Sequence, residues 1–176
     1  MLKTKKQGYL MIEVLVMVVI FSISIITLTL LQTKSATGVN SSNYRGIAIN
    51  YAQNLFDKIR ANKAGVLTGA YLAGTMTNNS CESFNYNIVN GTVVNCNATQ
   101  LAQDDLFDFN ATVVGTLPAG AWVICIDSLN SQGTPTAPNC NGIGSNYVIK
   151  IFWKDKLSKA INTNNGYSQV IISTQI

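Results

Sequence analysis

The stretch "GYLMIEVLVMVVIFSISIITLTLL", residues 8–31, holds a single charge, Glu13, in an otherwise apolar and hydroxyl-dotted run. At 1.5 Å per residue, a helix over 9–31 is about 35 Å long, enough to cross the hydrocarbon core of a bilayer. An ionised carboxylate in that setting costs about 3 kcal/mol on insertion scales, so Glu13 needs a physical reason to be there. Working outward, Lys3, Lys5 and Lys6 precede the run, and beyond Leu31 the chain turns polar and rich in Asn, Ser, Thr and Gly. By the positive-inside rule, the lysine-rich start stays in the cytoplasm and the remainder is exported. One membrane anchor and one modest head are expected.

The leading lysines supply most of the formal net charge of +4, so the pI near 8.9 is a property of the first few residues. The head is close to neutral. Nucleic-acid binding is not expected, because it needs a basic patch on the folded surface. Lys150, Lys154, Lys156 and Lys159 read as decoration of a strand and its loop. Cys81, Cys96, Cys125 and Cys140 form an even set on the exported side, which suits disulfides in an oxidising compartment. Four cysteines allow three pairings. Cys81 with Cys96 and Cys125 with Cys140 are favoured because each pair closes a short, turn-rich, Asn-rich loop.

The chain contains no histidine. That removes Ser-His, Cys-His and histidine–metal chemistry, and with no CxxC pair a zinc site fits poorly. No enzymatic activity, metal or cofactor is expected. Asp104, Asp105 and Asp108 cluster in "LAQDDLFDFNATVV", residues 101–114, without the Gly-bearing DxDxDG spacing of a calcium loop. They read as the solvated side of a short helix that turns Leu101, Leu106, Phe109 and Val113 inward. Asn-x-Ser/Thr triplets at Asn78, Asn90, Asn97 and Asn110 are assigned no role.

Helical patterning resumes after the apolar run. Ile47, Tyr51, Leu55 and Ile59 recur at every fourth position with Ala48, Ala52 and Phe56 beside them, which describes one apolar stripe. Gly38 and Gly46 are candidate soft points, and Gly65 is the expected stop. "FNYNIV" and "TVV" suggest a minor hairpin around Asn90 and Gly91. Strands are expected at 121–126 ("AWVICI"), 146–154 ("NYVIKIFWK") and 167–174 ("YSQVIIST"), with Asn164, Asn165 and Gly166 turning into the last. In the middle strand Tyr147, Ile149, Ile151 and Trp153 share one face, and Lys150 and Lys154 fall on the other, as in a half-buried antiparallel strand. The fold class is α+β: a long N-terminal hydrophobic helix, transmembrane and then amphipathic, packed on a small antiparallel sheet.

An ordinary secretory signal places its small-residue cleavage site after a short apolar run. Here Gly8 comes first. "KKQGYLMIEVLVMVVIFSI" resembles the class III signal of type IV prepilins and related pseudopilins. The resemblance implies that a prepilin peptidase cuts after Gly8 and methylates the new amino terminus of Tyr9, where the family usually has Phe. It also places Glu13 at the fifth mature position, the family's glutamate, one helical turn from the new α-amine. In a staggered bundle the carboxylate of one subunit then meets the amine of the next, which offsets desolvation and favours one axial register. Many pilins carry a proline in this helix; here the first is Pro118.

Further along, "DKIRANKAG", the pair Cys81 and Cys96, "LFDFNATVVGTLPAG", Cys125 and "YVIKIFWKD" resemble, in that order, the PilV family of minor pilins. Lys58, Ile59, Arg60, Ala61 and Asn62 stand where its members often have Arg-Met-Arg-Ala-Asn. The resemblance implies a leader at 1–8, a membrane and assembly helix at 9–31, an amphipathic continuation at 32–65 and a head at 66–176. Implied partners are the prepilin peptidase, other minor pilins, the major pilin and the inner-membrane assembly platform. The implied location is the bacterial inner membrane with the head in the periplasm, then a pilus on the cell surface. A minor pseudopilin of type II secretion and a major pilin are the alternatives, since both share the leader. Nothing in the charge pattern names an adhesion receptor.

Overall fold

In the computed structural model, the described residues are 7–81, 88–89, 92–93, 96–155 and 166–175. Helix α1 runs over Gln7–Ala61 and is followed by the short α2, Lys63–Leu67. Two-residue strands β1 (Ile88–Val89) and β2 (Thr92–Val93) pair antiparallel, giving the core of the expected minor hairpin, whose Asn90 and Gly91 lie outside the described residues. Helix α3 spans Ala98–Thr116, and strands β3 (Ala121–Ile126), β4 (Asn146–Trp153) and β5 (Ser168–Gln175) complete the chain. The layout is α+β. Residue contacts divide it into two units, Met1–Asn40 and Ser41–Ile176.

In the second unit, the sheet order is β3-β4-β5, antiparallel throughout, with Ile124 opposite Ile149 and Ile149 opposite Ile172. One face of β4 presents Tyr147, Ile149, Ile151 and Trp153 to a core that also takes Ala48, Ala52, Leu55, Phe56 and Ile59 of α1 and Leu106, Phe109 and Val113 of α3. Each of these large side chains contributes about 1.5–3 kcal/mol when fully withdrawn from water. The stripe in α1 therefore docks where its spacing predicts, with Ile47 and Tyr51 at its partly buried margin. Helix α3 starts at a capping box: Asn97 Oδ1 accepts from the Gln100 N–H and Gln100 Oε1 accepts from the Asn97 N–H. In the inward set expected for α3, Leu101 is only partly buried and Ala102 takes the fully buried place.

Three expectations change. Gly65 is not a helix stop: it lies buried inside α2, where an added Cβ would sit 2.9 Å from the Ala98 carbonyl oxygen, so close approach explains the glycine. Gly38 and Gly46 do not interrupt α1, which passes through both. Asp104 and Asp105 are not on a solvated face; both are buried, and only Asp108 keeps substantial exposure. Lys150 is not surface decoration. Its side chain is fully buried, with Val148 and Phe152 beside it on the second face of β4. A central strand covered on both faces keeps a charge there only if partners are supplied. Lys154 is exposed, as expected, while Lys156, Lys159, Asn164 and Asn165 lie outside the described residues.

Candidate functional site

Every residue from Met11 to Leu31 is exposed. The large apolar members keep between 47% (Ile25) and 79% (Met11) of their surface, with no polar side to turn toward water. A helix apolar all round is one that lipid or other chains must cover. Mean hydropathy reaches 2.9 in this segment, and it is the one helix among the described residues long and apolar enough to cross a membrane.

Its polar atoms are managed internally. The hydroxyls of Ser22, Ser24, Thr27 and Thr29 donate to carbonyls three or four residues back, as Ser22 Oγ does to the Val18 oxygen at 2.7 Å. Such back-bonding leaves no hydroxyl unsatisfied in hydrocarbon. Glu13 is different. It is exposed, and among the described residues it forms no ion pair. Gly8 and Tyr9 lie in the first turn of α1, with Glu13 four residues, about one helical turn, beyond Tyr9. Residues 1–6, Lys3, Lys5 and Lys6 among them, lie outside the described residues.

Both disulfides form: Cys81 with Cys96 and Cys125 with Cys140, their Cα atoms 5.9 and 6.2 Å apart. Of the three possible pairings this is the one that the short, turn-rich loops favour. Closing a loop of this length stabilises by about 3 kcal/mol in the chain-entropy account, an effect exerted on the fully unfolded chain rather than on the folded loop, whose ends the β3–β4 ladder already holds for the second bridge. Asp104 supports the first bridge from α3: Oδ1 accepts from the Asn79 N–H at 2.6 Å and Oδ2 from the Cys81 N–H at 2.9 Å.

Two polar assemblies escaped the sequence. In the first, Asn62 caps α2 by accepting from the Gly65 N–H, and its amide donates to the Ala98 carbonyl and the Tyr71 hydroxyl. Tyr71 donates to Asp105 at 2.7 Å, and Asp105 pairs with Lys58 at 3.2 Å. Burial, then the Asp105 hydrogen bond and charge, push the Tyr71 phenol well above its ordinary pKa, against a smaller opposing effect of the Asn62 bond. This assembly fastens the end of α1 to α3. A groove of about 290 Å³ beside it is lined by Tyr51, Leu55, Lys58, Asp108 and Phe109, among others.

In the second, the Lys150 ammonium donates to Asp127 Oδ2 at 2.7 Å and to the carbonyls of Ser131, Pro138 and Asn139 at 2.9, 2.9 and 3.2 Å. Both side chains of the pair are fully shielded from solvent. The Lys150 hydrogen bond holds the Asp127 carboxyl below its usual range; burial opposes this, while the Leu129 N–H and the ammonium charge add to it. One signal was available in sequence. "YVIKIFW" is apolar on both strand faces apart from Lys150, the mark of a doubly covered strand.

The segments that carried the resemblance have structural duties here: Asn62 and Gly65 in "DKIRANKAG", Asn110 accepting from Trp122 in "LFDFNATVVGTLPAG", and Lys150 in "YVIKIFWKD". Among the described residues, no group of three or more His, Cys, Asp or Glu side chains is arranged to hold a metal. No family model, curated protein or solved structure matches the chain.

Proposed function

We propose that this chain is a type IV pilin-like assembly subunit, a minor pilin of the PilV kind. In this reading it is made as a single-pass inner-membrane precursor with its head in the periplasm. The prepilin peptidase cuts it after Gly8, Tyr9 becomes the methylated amino terminus, and the apolar helix carries the subunit from the inner-membrane assembly platform into a pilus. It acts with other minor pilins to prime assembly at the filament tip, ahead of the major pilin. The chain itself performs no catalysis and needs no cofactor.

The observation that carries the reading is a coincidence of position. A glycine after lysines, and a Glu13 carboxylate that forms no ion pair among the described residues, open a helix whose side chains from Met11 to Leu31 all stand exposed; cleavage after Gly8 would add a free amine at Tyr9. An ammonium and a carboxylate at the same end of each subunit offset one another's desolvation when subunits are staggered along the fibre, which is the role proposed for Glu13. Glu13→Val tests this. Cleavage is expected to persist while incorporation into sheared fibres falls about tenfold or more, because the buried counter-charge is gone. Normal incorporation of the variant would remove the role assigned to Glu13. Quantitative mass spectrometry of the fibres sharpens the subclass: abundance comparable to the main subunit would indicate a filament-body pilin instead.

A further inference from the structure

We propose that residues 127–139 form a cation-binding loop whose cation is a side chain, the Lys150 ammonium, and that this charge closes the loop without help from the neighbouring disulfide. The inference stands apart from the assembly role and concerns the head alone.

The oxygen set is that of a loop built around a cation: one carboxylate, from Asp127, and three backbone carbonyls, from Ser131, Pro138 and Asn139, all within 3.2 Å of one nitrogen. An ammonium has three protons for these four acceptors, so every proton is used. The acceptors come from both ends of the loop. Asp127 lies two residues after Cys125, and Asn139 immediately precedes Cys140, so the ammonium grips the chain at the points the disulfide joins.

Beyond the ammonium and the disulfide, the loop is tied by scattered hydrogen bonds, among them Asn141 with Ser128, Asn139 with Gln132 and Gly133 with Gln169. Between Ser128 and Ser145 only Gly133 is buried, Leu129 and Ile143 are left 72% and 66% exposed, and no further charged residue occurs. Hydrophobic burial therefore cannot hold it. Gly133 fits the same design, because a Cβ there would come within 2.7 Å of the Pro138 oxygen, one of the atoms that receives the ammonium. Withdrawing an ammonium from water is tolerated only when its acceptors are all in place, which makes closure nearly all-or-none.

Hydrogen exchange on the full chain in detergent separates the two ties. The reporters are the amides of Leu129, Gly133, Thr134 and Ala137, each hydrogen-bonded within the loop or to Gln169. In C125S/C140S, these amides are expected to keep protection within about threefold of wild type. In Lys150→Met, with Cys125–Cys140 intact, protection is expected to fall about a hundredfold or more. Amides of β4 and β5 in the same samples report whether the sheet survives. Loss of loop protection in the double-serine variant, or its retention in Lys150→Met, overturns the proposal. The double-serine arm decides by itself if Lys150→Met does not fold.

Discussion

Between Met11 and Leu31 helix α1 leaves every side chain exposed, whereas between Ala48 and Ile59 the same helix buries Ala48, Ala52, Leu55, Phe56 and Ile59. The backbone is equally regular in both stretches. What differs is the solvent each side-chain pattern is written for. The first stretch has no polar face, so its cover must come from lipid or from other chains. The second has one apolar stripe and one polar face, and its cover comes from α3 and the sheet. A uniformly apolar helix makes its demand on partners outside the chain; an amphipathic one meets that demand within it.

The contrast can be broken most severely in the head. Asp127→Ala leaves the Lys150 ammonium buried without its carboxylate, and a loss of about 3–5 kcal/mol is expected in denaturant unfolding of the full chain in detergent. A loss under about 1 kcal/mol would mean that water replaces the carboxylate easily, and that the pair is less enclosed than described. A matched pair of truncations sharpens the comparison along α1. Leu55→Ala is expected to cost the head about 3 kcal/mol through transfer and cavity effects. Leu28→Ala removes the same atoms from an exposed site and is expected to shift head unfolding by less than about 0.5 kcal/mol. Equal effects would show that the two stretches share one packing environment.

The smallest effect is in pH. The Asp127 carboxyl is held below its ordinary range in the folded protein, so its contribution is fully present above the unfolded value of about 4 and drains away as pH falls through the folded one. Thermal unfolding below about pH 4 is therefore expected to decline more steeply for wild type than for Asp127→Asn. Parallel declines would assign acid sensitivity to other carboxylates.

The elements were legible where local pattern is enough. The apolar run, the every-fourth-residue stripe and the alternation in "NYVIKIFWK" located α1 and β4, and β3 occupies the predicted 121–126 residue for residue. The disulfide pairs followed from loop length and composition. Illegible were the buried polar groups. Asp105 meets Tyr71 and Lys58, and Asp127 meets Lys150, across long stretches of chain. Periodicity assigns a charged residue to the wet side by default, and only a partner supplied by another element reverses that assignment. Gly65 misled for a related reason: the contacts that require a glycine come from the capping Asn62 side chain and from the Ala98 carbonyl of α3, which Asn62 itself binds. The proposed assembly end rests on a local pattern, Gly8, Tyr9 and Glu13, and the amine proposed to meet Glu13 belongs to another molecule.

The most direct measurement is the intact mass of this chain recovered from sheared surface fibres. The account predicts a species that begins at Tyr9, carries one added methyl group on its amino terminus, retains both disulfides and travels with the fibres. A chain that still begins at Met1 and stays behind in the cell membrane when the fibres are removed would contradict it.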